Sequence, residues 1–257
     1  MNARLAAMAA VIAACAGVAA LVFWLAGKKF KRSAGLILAG ALGFFVTQGL
    51  IRIPLLQVFG SRLNALGSIA SVLILGVSAA VFETSGRAAA ARLTRERSAS
   101  PAGGMLLGLG HGLCEMFVLL VSAYVNNIVL LLMNNAETRE LAAQVRQALA
   151  ATPLWMFAVA FGERLMAIAF HTLMSVLVVK GFLSGKRAVY ILVVIALHAS
   201  FDIAVMFLSM RFGAAKTEIF IAAAAVCCLA VLLKIPGIRG APPLPADEAA
   251  QAAEEGY

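Results

Sequence analysis

The chain has 257 residues, of which 63% are hydrophobic and only 13% charged, and its formal net charge is +9. A soluble domain of this length carries roughly twice that charge fraction, so an ordinary water-soluble enzyme is excluded. The basic residues are not interleaved with aromatics in patches, which excludes nucleic acid as a partner and leaves the lipid bilayer as the expected one.

Apolar runs of about 20 residues are long enough to cross hydrocarbon as helices. Seven are predicted, at about Leu5–Ala26, Ala34–Phe59, Leu63–Ala91, Gly103–Met133, Leu154–Val179, Ala188–Met210 and Ile219–Ile235. The first is longer than the apolar core of a cleaved signal, and basic residues follow rather than precede it, so a retained helix is expected. No alternating ten-residue pattern points to a barrel. The expected fold is therefore all-α, a polytopic bundle forming one transmembrane domain over residues 1–235, with a disordered cytoplasmic tail over 236–257.

Lysine and arginine alternate between loops. Lys28, Lys29, Lys31 and Arg32 follow span 1, and Arg87, Arg92, Arg95 and Arg97 lie at or just beyond the end of span 3. Lys180, Lys186 and Arg187 follow span 5, and Lys234 and Arg239 lie at or just beyond the end of span 7. The other loops hold Arg62, then Arg139 and Arg146 beside Glu137 and Glu140, then Arg211 and Lys216. By the positive-inside rule the N-terminus lies outside and the C-terminus in the cytoplasm of a bacterial-type plasma membrane. The stretch 134–152, "NNAETRELAAQVRQALAAT", is a polar outer helix that either lies on the membrane surface or covers the bundle. Cys15, Cys114, Cys227 and Cys228 all fall within spans without a CxxC pair, and read as small packing residues.

Ionisable side chains at mid-bilayer cost at least about 2.5–3.5 kcal/mol each on insertion scales, so they need a partner or a task. All three histidines of the chain lie within spans, each with an acid on its own helix: His111 with Glu115, His198 with Asp202, and His171 with Glu163. At about 100° per residue these pairs share helix faces, and Arg164 joins the face of His171. Counted from the basic ends of their spans at about 1.5 Å per residue, the three histidines come to about 12–17 Å deep, although their helices alternate in direction. Glu83 in "FETSGR" reaches a similar depth, with Arg87 four residues on.

Imidazoles and a carboxylate at one level suit a divalent metal that activates water, with a further carboxylate as base. Three separate His–carboxylate bonds that merely hold the bundle are the plainer alternative, and a proton-coupled transporter or channel is another. Gln48, Arg52 and Pro54 lie toward the outer end of span 2, where Arg52 is expected to snorkel or pair. Ser175 shares a face with His171 and is expected to bond its own backbone. The only aspartates are Asp202 and Asp247, the latter in the tail, so an intramembrane aspartyl protease is excluded. No HExxH occurs. What survives is carboxylate and histidine chemistry on water, in a cavity expected to open toward the cytoplasm.

The segments "FFVTQGLIRIPLL", "FETSGR", "GLGHGLCE", "GERLMAIAFHTLMSVLV" and "HASFD" together resemble the YhfC family of intramembrane metalloproteases, grouped with PrsW and the type II CAAX prenyl proteases. The resemblance runs from span 2 to span 6. It implies peptide-bond hydrolysis in or near the membrane, on a membrane-protein or lipidated-peptide substrate, with a site near the cytoplasmic side. It implies a metal, expected to be Zn2+, held by His111, His171, His198 and Asp202. Catalytic roles fall to Glu83, Glu115 and Glu163 as candidate bases and to Arg87 and Arg164 as charge-steadying groups. The family tends to pair glutamates at the first motif, where this chain has Thr84 in second place. A non-catalytic scaffold of the same fold is the corresponding alternative.

Overall fold

The computed structural model describes residues 1–30, 33–133 and 137–240. Among these the regular structure is entirely helical: α1 (Asn2–Lys29), α2 (Ala34–Phe44), α3 (Ile53–Ala65), α4 (Ser68–Leu93), α5 (Arg95–Ser98), α6 (Pro101–Glu115), α7 (Ser122–Leu132), α8 (Arg139–Ala151), α9 (Trp155–Leu183), α10 (Arg187–Phe212) and α11 (Ala214–Lys234). Two π-helical segments, Phe45–Arg52 and Met116–Val121, join α2 to α3 and α6 to α7 without a break. Seven continuous rods result that are long and apolar enough to cross a bilayer. The protein is a multi-pass, all-α membrane bundle, because only helices satisfy every backbone N–H and C=O of an isolated segment in lipid.

Two of the connections at the end away from the basic loops are tight. Gly67 and Gly213 take φ values of 83° and 77° and turn the chain between spans, a left-handed conformation that glycine adopts without steric cost. At the basic end, Ser100 caps α6 by accepting a hydrogen bond from the Gly103 amide, and Pro101 occupies the first helical turn. The predicted outer helix is α8. It packs on α7 and is tied to the start of α1, where Arg4 donates to the carbonyls of Ala150 and Thr152. It therefore covers the bundle end.

The glycines of α6 decide how the core closes. Gly104, Gly108 and Gly112 recur every four residues, and a Cβ on them would meet Val176, Thr172 and Ile168 of α9 at 2.9, 2.4 and 2.9 Å. Gly110 lies against the Ile37 carbonyl of α2, and Gly40 of α2 against the Leu107 carbonyl. Small residues at this spacing let helix backbones touch, which is how helices associate where lipid is as apolar as leucine. α6 is thus sandwiched between α2 and α9, with Leu106, Leu113, Met116, Met174 and Val176 buried around it.

Pro236–Gly240 forms a turn at the end of α11, with Ile238 buried in the core and Gly237 against Pro101. The rest of the expected disordered tail, 241–257, lies outside the described residues, as do Lys31 and Arg32 of the first basic loop and residues 134–136. The four cysteines are free thiols, two of them buried.

Candidate metal centre

Three antiparallel rods bring the histidines to one level. His111 comes from α6, His171 from α9 and His198 from α10, with ring centroids 5.1 Å apart for the first two and 5.5 Å for the last two. All three are buried. Phe44 packs edge-on to His111, and Phe170 packs edge-on to both His171 and His198, so aromatic edges hold the rings in place.

Glu83 of α4 stands at the middle. Its Oε2 is 3.1 Å from His111 Nε2, 3.6 Å from His198 Nε2 and 3.7 Å from His171 Nδ1. Arg87, one turn along the same helix, donates from Nη2 to Glu83 Oε2 at 3.1 Å and also to His171 Nδ1. Its Nη1 is 3.5 Å from His198 Nδ1. A guanidinium only donates, so the nitrogens it faces must be bare. His171 therefore carries its proton on Nε2, which presses against Glu115 Oε2. Arg164 donates to the other Glu115 oxygen at 2.7 Å. His111 Nδ1 is buried without a hydrogen-bond partner.

Each sequence-predicted residue now has a place. Glu83, Arg87, His111, Glu115, His171 and His198 form one buried cluster, and Arg164 joins it through Glu115. Asp202 Oδ2 lies 3.5 Å from His198 Nε2, the one same-helix His–acid pair that forms as expected. The other two are exchanged for contacts between helices: His111 faces Glu83, and His171 faces Glu115. Glu163 does not meet His171. Eight residues on one helix place the two roughly 12 Å apart along the axis, and Glu163 instead lines a cavity together with Glu218 of α11. Thr84 is fully buried, its hydroxyl without a hydrogen-bond partner. Ser175, expected to bond its own backbone, has a hydroxyl with no partner.

Sequence reasoning missed Gln48. It sits in the first π-helical segment, and its Nε2 donates to Glu83 Oε1 at 2.7 Å. Arg52 donates to Gln48 Oε1 at 3.2 Å, to the Ser78 hydroxyl and to the Leu75 carbonyl. Arg52 therefore pairs within the bundle and sets which way the Gln48 amide points. The signal was present as a buried amide with an arginine four residues on inside an apolar span. Both π-helical segments flank the cluster, Phe45–Arg52 carrying Gln48 and Met116–Val121 following Glu115 directly. Such π-turns often sit at functional sites.

A cavity of about 320 Å³ adjoins the cluster, lined by Glu83, Glu115, His171 and His198 together with Arg52, Glu163, Arg164 and Asp202. His111 and Arg87 do not line it. Its remaining walls are residues such as Leu75, Leu119, Val205 and Ile221, which lie beyond the histidine level in the direction away from the basic loops. Among the described residues, the segments between the histidines and the basic loops have their backbones in contact through Gly86, Gly104 and Gly108, and the cavity at the cluster extends the other way.

The residues present fit a metal ion. Ligand atoms of Glu83, His111, Glu115 and His171 all lie within 4.8 Å of one another and all four residues are buried. Two imidazoles and two carboxylates are a donor set that borderline divalent ions accept. His198 and Asp202 stand beside this group rather than in it.

The family model described as "YhfC intramembrane metalloprotease" matches residues 13–225. The chain is 27% identical over 198 residues to the "Uncharacterized membrane protein YhfC" of Bacillus subtilis (strain 168), spanning 71% of this chain and 76% of that protein. No solved structure matches. With the match covering all four helices that carry the cluster, the chain belongs to the YhfC intramembrane metalloprotease family.

Proposed function

We propose that the protein is an intramembrane metalloprotease that hydrolyses a peptide bond of a membrane-protein or lipidated-peptide substrate. The observation that carries this reading is the convergence of Glu83, His111, Glu115 and His171 from three helices within 4.8 Å. Of these, Glu83, His111 and His171 would hold the ion, with zinc the expected one and His171 binding through Nδ1 in place of its Arg87 contact; Glu115 stays free to accept a proton, and His198 stands next to them at 3.6 Å from Glu83. When bound, such an ion lowers the pKa of a water toward about 7 and polarises a carbonyl.

The chain's own residues supply the rest. Glu115 reaches the cavity and is held on one side by Arg164 and on the other by His171, so it is the carboxylate placed to take a proton from water. His171 keeps its proton on the nitrogen facing Glu115 and orients that carboxylate, which can return the proton it takes from water toward the leaving amine. Arg87 donates to His171 Nδ1 and faces His198 Nδ1, which leaves the proton of each ring on Nε2 and holds both rings in place. Asp202 orients His198 from the cavity side. Phe44 and Phe170 exclude water behind the rings. A channel or transporter finds less support, because among the described residues the cavity at the cluster ends against the glycine contacts of α2, α4, α6 and α9.

The test uses purified wild-type protein and the His171→Ala variant in detergent, with bound metal measured by mass spectrometry and cleavage followed on a membrane-anchored reporter. Wild type should hold close to one divalent ion per chain and cleave. His171→Ala should lose both while expressing normally. Undiminished cleavage in this variant, or a wild type that cleaves without metal, would reject the site.

A further inference from the structure

The cavity at the histidine cluster continues into a second one. That second cavity, of about 470 Å³, is lined by Trp155, Val159 and Ala160 of α9, Ser209 of α10 and Glu218 of α11, and it shares Glu163, Val205 and Met206 with the first. Every helix bordering it does so with the end remote from the basic loops. Two further cavities lie at the basic end, one beside Arg95 and Phe182 and one beside Lys29 and Arg239. Neither shares a lining residue with the pair that reaches the cluster.

Side-chain exposure rises in the same direction. It is 1% for Arg87 and 2% for His198, 10% for Glu115, then 23% for Arg164 and 26% for Asp202. Five charged groups beyond the histidine level, Arg52, Glu163, Arg164, Asp202 and Glu218, border this pair of cavities. Charged side chains in a span stay charged only where water reaches them or partners surround them.

Packing differs between the two halves in the matching sense. From the histidines to the basic loops, α2, α4, α6 and α9 touch through glycine: Gly86 on the Gly43 carbonyl, Gly104 on Val176, Gly108 on Thr172. Beyond the π-helical segments the rods separate. α3 packs on α4 and on its own π-helical segment, whereas α7 packs on α8, α1 and its own. Among α3 residues with a described side chain none is buried, and α7 buries only Leu130.

We propose that the candidate site is reached by water and by substrate only from the end opposite the basic loops, which by the positive-inside rule is the extracytoplasmic side. The substrate is then a polypeptide segment lying in the outer half of the bilayer or just outside it, passing between Ala160 and Val205 to reach Glu115 and His171. A lipidated peptide presented from the cytoplasm has no way in. The substrate class rests on the proteolytic reading above, but the sidedness of the cavity does not.

The experiment replaces the native cysteines with serine and introduces single cysteines by Ala160→Cys in the cavity, Leu183→Cys at the basic end and Phe212→Cys at the other. Intact spheroplasts and inverted vesicles are each treated with a charged, membrane-impermeant methanethiosulfonate. The two end markers report orientation independently of the cavity. The cysteine at 160 should label from the same side as that at 212, at least tenfold faster than from the opposite side. Labelling from the side of position 183, or from neither side, would overturn the proposal. Labelling from the side of position 212 in a protein that cleaves no reporter would retain the access route and reject the proteolytic reading. A repeat with Val205→Cys guards against a local defect at position 160.

Discussion

Replacing Gly110 by alanine should damage the site through the backbone, without touching any ionisable group. A Cβ at Gly110 would lie 1.8 Å from the Ile37 carbonyl oxygen and 2.6 Å from its carbon. Real Cβ atoms do not come within 3.0 Å of a neighbour, so α2 and α6 must part by at least 1.2 Å. The obstacle is backbone, not the end of a flexible side chain, so no rotamer change relieves it. Overpacking of this kind costs about 1–3 kcal/mol where side chains yield, and rigid backbone puts Gly110→Ala at the upper end, about a hundredfold in the folded-to-unfolded ratio. His111 is the next residue, and Phe44, which packs on its ring, follows on α2. A shift of about 1 Å in a positioned group costs about 10²-fold in rate. Thermal unfolding in detergent and reporter cleavage read the two effects separately. Gly17→Ala, where an added Cβ meets nothing within 4 Å, is the matched control and should change neither. A Gly110→Ala protein with wild-type melting and cleavage would refute the close-packing account of α2 and α6.

Three further outcomes follow from the same geometry. Glu83→Gln leaves Arg87 buried with its counter-charge gone, and breaking one side of a buried pair costs about 3–5 kcal/mol; the protein should express poorly. The Glu83→Gln/Arg87→Met double variant should recover melting temperature but not cleavage, and a double variant no more stable than the single one would argue against the pairing. Arg164→Met removes the 2.7 Å bond to Glu115 from a partly exposed residue, so kcat should fall about ten- to a hundredfold while melting stays within a few degrees. Gln48→Leu strands Glu83 Oε1 and one Arg52 donor, a loss of about 1–3 kcal/mol; cleavage should fall with it, and recovery by Gln48→Asn would show that the shorter amide still bridges the two.

Much of this protein is legible in its sequence. Seven spans follow from apolar run length, because hydrocarbon thickness sets a minimum helix and lipid offers the backbone no other partner. The common depth of His111, His171 and His198 follows from counting residues inward from basic loops, since a helix rises uniformly. Glu83 and Arg87 follow from their cost in hydrocarbon. Partners were less legible: the i, i+4 spacing of His111 and Glu115 is real, yet each turns to a different neighbour. Spacing along one rod fixes a face, and which rod lies opposite that face is a property of packing.

The sequence by itself therefore determined the bundle, the level of the site and the residue types that build it, all of which depend on position along single helices. Tertiary structure alone decided that Glu83 sits among the three imidazoles, that His171 meets Glu115 rather than Glu163, and that Gln48 and Arg52 support Glu83. It also decided that the cavity widens away from the basic loops. Each of these depends on which helices approach closely, and that is set by where glycine faces glycine or a backbone carbonyl across a helix pair, a relation between distant segments that no local pattern contains.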